Sequence, residues 1–422
     1  MALDGISRRS LLGGAALVAA SLATIGVARA DTPKRLRLPL PAPTGPHAIG
    51  TVSKRLVDRS RKDPWLPTRD RELMVSVWYP AHPGGGQQRA PWMTSAALAK
   101  YRPELERMLT QTAQMRQTGD GTISLAGVEF PTTHARYGAP VRRAASPYPV
   151  LLFSPGAAAD REEHTTIAED LASHGYIVIT LGHTYDAAEI EFPGGRVEVA
   201  GPPLSQDGSA EVLKARYADA LFVLDSLDSL DSLDVRPGKI GMFGHSLGGA
   251  TTAQAMAHDR RVLAGIDLDG TPIPDVAITP PDRGGDTTPE KAAELAGAIA
   301  RKIGDRPFMI MSSNGQGPQQ LGALMDGFWS NLSGWRRFLS VKGTTHGSYT
   351  DAETLMPELV KAGRISAGLA AAVIGPSRVL PAQRAYIRAF FDRHLRGMQA
   401  PLLDGPSADY PDVIFFPAQG ES

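Results

Sequence analysis

Residues 239–249 read KIGMFGHSLGG, and the small-residue stretch ATTAQAMAH carries on to position 258. The reading is an apolar strand ending in Gly244-His245-Ser246-Leu247-Gly248, followed directly by a helix. A serine in such a turn is held in a strained conformation with its hydroxyl exposed. Only hydrogen fits at Gly244 and Gly248, where strand and helix pass close together. Working outward, apolar strand-like runs occur at 73–79 (LMVSVWY), 150–153 (VLLF), 175–181 (GYIVITL), 262–268 (VLAGIDL), 307–312 (PFMIMS) and 336–341 (RRFLSV). Between them, helical patterns fill 94–118, 161–174, 210–233, 247–258, 288–303 and 381–396. Strands alternating with helices predict an α/β fold with a mostly parallel central sheet covered by helices on both faces. In such sheets chemistry gathers at the carboxyl ends of the strands, which is where Ser246 falls.

Composition narrows the function classes. The 422 residues carry 44 Lys+Arg, 44 Asp+Glu and no Cys. The charge balance argues against a nucleic-acid partner, which needs a basic surface for phosphates. Without Cys there is no disulfide framework, thiolate zinc site or Cys nucleophile. The ten His are scattered and no H-E-x-x-H occurs, so neither metal nor cofactor is expected.

The first thirty residues read as an address. Arg8 and Arg9 precede an apolar run from 11 to 27, and Ala28 and Ala30 occupy the small-residue positions of a cleavage site. Ser7, the arginine pair, Leu11 and Leu12 resemble a twin-arginine export signal, making that export machinery the expected partner during secretion to the periplasm or medium. Removing 1–30 takes three basic and one acidic side chain and leaves a net charge of −2, with no membrane span expected. Residues 31–47 form a Pro-rich lead-in, and 48–422 read as a single catalytic domain with 94–118 and 272–306 as candidate cap insertions. On 94–118 the spacing of Leu98, Tyr101, Leu105, Met108 and Met115 predicts one apolar face, for core packing or for a lid over a pocket. The run DSLDSLDSLD at 225–234 reads as a solvated helix face, since it lacks the loop chemistry of a calcium site.

A serine hydroxyl needs a base to take its proton and an acid to orient that base. Three His follow Ser246. His258 lies three turns along the helix that Ser246 begins, and His394 sits inside the last predicted helix. His346, in the loop GTTHGSY after a strand, is the candidate base. Ten acids lie between Ser246 and His346, and the loop after the penultimate strand, MSSNGQG, holds none of them. The preceding strand ends in Asp267 and Asp269. Asp269 lies nearer the strand end and is the candidate acid; Asp267 is read as a buried structural partner pointing to the same side. Two N–H donors are needed for a tetrahedral oxyanion: Leu247, after the nucleophile, and Ala157, in the loop Ser154-Pro155-Gly156-Ala157. His245 is read as a packing residue of the turn and His183 as a residue that orients its loop.

Several stretches together resemble the secreted platelet-activating factor acetylhydrolases, a branch of the α/β-hydrolases: GHSLGGAT at 244–251, GIDLDG at 265–270, THG at 345–347, FSPGAAADR at 153–161 with IAEDLASHGYIV at 167–178, and TGPHAIGT at 44–51 with ELMVSVWYPA at 72–81. The resemblance implies an α/β-hydrolase fold and a serine esterase for short acyl chains, including acetyl or oxidised phospholipids. It also implies Ser246 as nucleophile, Asp269 as acid, His346 as base and Leu247 and Ala157 as oxyanion donors. An acyltransferase and a polyester or cutin hydrolase use the same triad and stay open as alternatives. A rival of another class is a Mg²⁺-dependent phosphatase: GIDLDGT at 265–271 resembles an aspartyl nucleophile motif with Asp267 attacking phosphorus, FMIMSSNG at 308–315 a second motif, and Lys342 a third.

Overall fold

The computed structural model describes residues 35–84, 87–202, 209–228, 238–275 and 287–417. The export segment 1–30, most of the acidic run beyond 228 and positions 276–286 of the second insertion lie outside the described residues.

The chain begins with β1 (Leu36–Arg37), the long hairpin β2 (Ala48–Lys62) and β3 (Asp70–Ala81), β4 (Arg89–Pro91), helix α1 (Ser95–Arg116), β5 (Val128–Glu129) and β6 (Thr132–Tyr137). The alternating part runs β7 (Val150–Ser154), α2 (Thr165–Ser173), β8 (Ile177–Gly182), a side hairpin of β9 (Glu189–Phe192) and β10 (Arg196–Val199), α3 (Ser209–Asp225), β11 (Ile240–His245), α4 (Leu247–His258), β12 (Val262–Leu268), α5 (Pro289–Ile303), β13 (Phe308–Ser313), α6 (Ala323–Asn331) and β14 (Arg336–Val341). It ends with α7 (Ala352–Lys361), α8 (Ala367–Ile374), α9 (Leu380–Arg396) and β15 (Val413–Phe416).

Among the described residues, eleven strands form one sheet in the order β15-β14-β13-β12-β11-β7-β8-β3-β2-β6-β4. The six from β14 to β8 are mutually parallel. They are near-continuous apolar runs because helices cover both faces. Leu152, Met242, Ile310 and Phe338 pack with Val223 of α3, Met256 of α4, Ile299 of α5 and Phe328 of α6 on one face. Phe153, Phe243, Ile266 and Leu339 pack with Leu171 of α2 and with Tyr386, Phe390 and Phe391 of α9 on the other. From β7 the chain steps outward to β8, then crosses back to β11 on the opposite side of β7. The reversal opens a crevice between the ends of β7 and β11, where parallel sheets bind their ligands.

Several expectations need correction. Helix α5 belongs to the main core through Ala296, Ile299, Ala300 and Ile303, so this part of the 272–306 insertion flanks the sheet instead of capping it. Its start is set by Thr288, whose side chain accepts from Lys291 N–H, and by Pro289 in the first turn. Helix α1 buries Ala97, Leu105, Leu109 and Ala113, while Met108 and Met115 are exposed. The predicted face divides between both roles: Leu105 packs with α7 and α8 in a separate small core that includes Leu38, Trp92, Leu355 and Leu369, while Tyr101, Met108 and Met115 line a cavity beside it. The lead-in is not wholly irregular, since β1 pairs with β5, and the sheet continues past α9 into the antiparallel edge strand β15.

Candidate active site

The site is built where β7, β11 and β12 end together. Gly244 lies opposite Ser154 on one side and Asp267 on the other. Ser246 has φ 57° and ψ −123°, a conformation that costs a non-glycine residue on the order of 1–3 kcal/mol. The turn is held by Ser246 N–H donating to Leu268 O (2.9 Å) and by Gly249 N–H donating to Ser246 O (2.9 Å). A Cβ on Gly244 would overlap the backbone of Gly248, and one on Gly248 would overlap the Ser154 carbonyl. The glycines are thus the condition for the close approach of β7, β11 and α4.

Asp269 follows β12 in a left-handed conformation, φ 52°. The extended alternation ends there, so Asp267 and Asp269 do not share a direction as expected. Asp269 Oδ1 accepts from Ser313 N–H (2.6 Å), and Oδ2 lies 2.7 Å from His346 Nδ1. Burial pushes this carboxyl upward, but the hydrogen bonds from His346 and Ser313 prevail and hold it below the ordinary aspartate value. Asp267 is fully buried beside Gly249 and accepts from Gly270 N–H (2.8 Å), while its second oxygen has no partner among the described residues. With little to offset burial, its pKa is pushed up to about 8. A side chain so enclosed cannot meet a phosphate, which removes the role the phosphatase reading gave it.

His346 opens a 3₁₀ turn that ends at Tyr349, and its side chain is half exposed. His245 does more than pack: its Nε2 donates to His346 O (3.0 Å), and the two ring centroids are 4.5 Å apart. The turn carrying Ser246 and the turn carrying His346 are therefore tied side by side, although Ser246 Oγ makes no hydrogen bond to His346 among the described residues. Such contacts commonly close only when substrate is bound. Leu247 N–H, at the start of α4, and Ala157 N–H, beyond β7, donate no hydrogen bond within the described residues. Gly156 lies against the elbow, for a Cβ there would come 3.3 Å from both Ser246 Cβ and His245 Nδ1.

A second Ser–His–Asp chain lies beneath this one. Ser154 Oγ is 2.9 Å from His183 Nε2, and His183 Nδ1 is 2.9 Å from Asp219 Oδ2. Burial pushes His183 down to about 4, so its ring is neutral at pH 7. Asp219 also takes Arg71 Nε (3.0 Å) and Nη2 (2.7 Å). All three members are buried, so this relay is sealed from substrate. His183 orients its loop as expected, but Asp219, Arg71, Arg216 and the buried His164 ring beside His245 were not identified from the sequence.

Next to His346 and His245 opens a cavity of about 400 Å³ under α1, α7 and α8, lined by Trp92, Tyr101, Phe130, Met108, Leu355 and Val373 among others. Its polar features include the Tyr101 hydroxyl, which donates to Glu163 (2.9 Å), and Asp351, which accepts from Trp92 Nε1 (2.8 Å).

The family model described as platelet-activating factor acetylhydrolase, isoform II, matches residues 35–193. A probable 1-alkyl-2-acetylglycerophosphocholine esterase of Arthroderma benhamiae is 28% identical over 389 residues, covering 89% of this chain and 93% of that protein. The platelet-activating factor acetylhydrolase of Canis lupus familiaris is 28% identical over 252 residues, 52% of each chain. The solved ferulic acid esterase from Streptomyces cinnamoneus superposes with a TM-score of 0.67 at 34% identity, covering 90% of this chain and 99% of that one. With this similarity and a parallel sheet ending in a serine elbow, the chain belongs to the platelet-activating factor acetylhydrolase-like family of α/β-hydrolases and is a carboxylic ester hydrolase.

Proposed function

We propose that Ser246, His346 and Asp269 hydrolyse the ester through an acyl-enzyme. His346 Nε2 takes the Ser246 proton as Oγ attacks the ester carbonyl. The developing oxyanion accepts hydrogen bonds from Leu247 and Ala157 N–H. His346, charged and held by Asp269, returns the proton to the leaving alcohol. Water deprotonated by His346 then attacks the acyl-enzyme and frees the acid and Ser246. The observation that carries this reading is the 2.7 Å contact of His346 Nδ1 with a carboxylate kept ionised, beside a serine elbow. It fixes the tautomer with a lone pair on Nε2.

Esters of short acyl chains, as in acetyl or oxidised phospholipids, are the proposed substrates, in line with the names of the curated relatives. Esters of a bulky aromatic acid are the second reading, favoured by Trp92, Tyr101 and Phe130 packed ring to ring along the cavity. The proposed place of action lies outside the cytoplasm after export through residues 1–30. The test is a p-nitrophenyl ester chain-length series beside methyl ferulate, on protein lacking 1–30, with a fluorophosphonate as covalent probe. Ser246→Ala should lose roughly 10⁴–10⁶ in kcat and all labelling while remaining folded. Label on another residue, or turnover surviving in Ser246→Ala, would overturn the assignment.

A further inference from the structure

The structure assigns Arg216 of α3 as a positioning residue that aims the oxyanion loop; this rests on the acyl-enzyme reading above. Its side chain is completely buried. Nη1 donates to Gly156 O (3.3 Å), and Nη2 donates to Pro155 O, to Gly156 O (3.3 Å) and to Ser154 Oγ (3.3 Å). Nη1 also pairs with Asp186, which balances its charge. One guanidinium therefore gathers the carbonyls of two successive peptide units of the loop. In a trans peptide the C=O and the following N–H point in opposite directions. Drawing the Pro155 and Gly156 carbonyls into the interior turns the N–H groups of Gly156 and Ala157 the opposite way, in a loop so near the elbow that a Cβ on Gly156 would come 3.3 Å from Ser246 Cβ. Successive N–H groups facing one way form a concavity for an anion. Ala158, with φ 55°, then carries the chain out of the loop.

The sealed Ser154–His183–Asp219 chain gives this arrangement its direction. Neutral His183 donates Nδ1–H to ionised Asp219, so Nε2 accepts the Ser154 hydroxyl proton. That leaves the Ser154 oxygen lone pairs to receive Arg216. The Ser154 hydroxyl and the His183 N–H then each have one acceptor, and the guanidinium is held by both loop carbonyls, Ser154 Oγ and Asp186. A lysine supplies a point charge in place of a planar fork and cannot hold both carbonyls and Asp186 in this geometry.

The experiment compares Arg216→Lys, and Arg216→Met combined with Asp186→Asn, with the unaltered enzyme. The double variant removes both buried charges together, so neither is left unpaired and folding is spared that cost. Three quantities are read: kcat and KM on p-nitrophenyl acetate, affinity for a short alkylboronic acid whose tetrahedral adduct carries an oxygen in the oxyanion position, and fluorophosphonate labelling of Ser246. The expected result is a kcat lower by roughly 10²–10³, the loss typical of one oxyanion donor, with KM changed less than threefold. Boronic acid affinity should fall alongside kcat, while labelling stays specific for Ser246 but slows. A folded variant with kcat and boronic acid affinity within threefold of the original would overturn the assignment of Arg216. So would an equal fall in substrate and boronic acid affinity, the mark of general disorder. If the unaltered enzyme is not labelled at Ser246, the acyl-enzyme reading itself fails, and the two failures are thereby distinguished.

Discussion

Replacing Asp269 by Asn tests the relay most directly, because the structure dictates how the new side chain must lie. Ser313 N–H needs an acceptor and has one in Asp269 Oδ1 (2.6 Å). An asparagine keeps that bond only with its oxygen toward Ser313, which points its NH₂ at His346 Nδ1. The left-handed backbone is no obstacle, since Asn tolerates that region. Facing a donor, Nδ1 must become the acceptor, and the neutral ring then carries its proton on Nε2, the atom that should receive the Ser246 proton. Nothing else in the site changes shape. A base held in the wrong tautomer costs about 10⁴ in kcat, equivalent to about 5 kcal/mol of transition-state stabilisation. The assay is kcat on p-nitrophenyl acetate at pH 7, with the melting temperature and Ser246 accessibility to a fluorophosphonate as controls. A folded Asp269→Asn enzyme that keeps more than a tenth of the original kcat would refute the tautomer argument and this choice of acid.

Other outcomes follow from the neighbouring groups. Asp267→Asn should leave kcat within about tenfold of the original, because its one hydrogen bond among the described residues, from Gly270 N–H, survives in the amide. It should also change the dependence of stability on pH. Burial raises the Asp267 pKa from 3.8 to about 8 in the fold. Below pH 4 both folded and unfolded states hold the proton. Between pH 4 and 8 only the folded state does, so stability falls as pH rises, and it levels off above 8. The Asn variant should gain on the original across that window by on the order of a few kcal/mol, and melting curves that stay parallel from pH 4 to 8 would refute this. Val373→Phe, which narrows the cavity beside His346, should cut kcat/KM for an aromatic acid ester about tenfold while leaving the acetyl ester within threefold; equal losses would place neither acyl group there. Trp92→Phe keeps the ring packing but strips Asp351 of a buried donor, and should cost ~1–3 kcal/mol in denaturant unfolding.

What could be read from the sequence and what could not divide along one physical line. The strand–turn–helix at 240–258 is a local steric problem with few solutions, so Ser246, its glycines and the helix after it are legible in eleven residues. His346 and Asp269 were reached by chain order and by their places at strand ends, and the structure brings those two together. Arg216 offered no such signal. It sits mid-helix, sixty positions from the carbonyls it holds, in a stretch whose other residues read as ordinary sheet-covering helix. Which part of the apolar face of α1 enters the core and which lines the cavity is illegible for a related reason. It depends on α7 and α8, and α8 is a short helix, AGLAAAVI, almost wholly apolar and without an amphipathic period that would announce its direction.

The small separate core under α1, α7 and α8 has a consequence for how such an enzyme diversifies. The hydrogen bonds Trp92–Asp351 and Tyr101–Glu163 join it to the turns beside the reacting groups, since Asp351 N–H donates to Glu163 O (2.7 Å) and Asp351 also receives Thr166 N–H (3.1 Å). On the proposed mechanism, substitutions that respect those joints would remodel which esters are admitted without disturbing Ser246, His346 and Asp269 below. Substrate choice and catalytic power can therefore drift independently, and a new preference can be selected by exchanging the roof while the hearth stays lit.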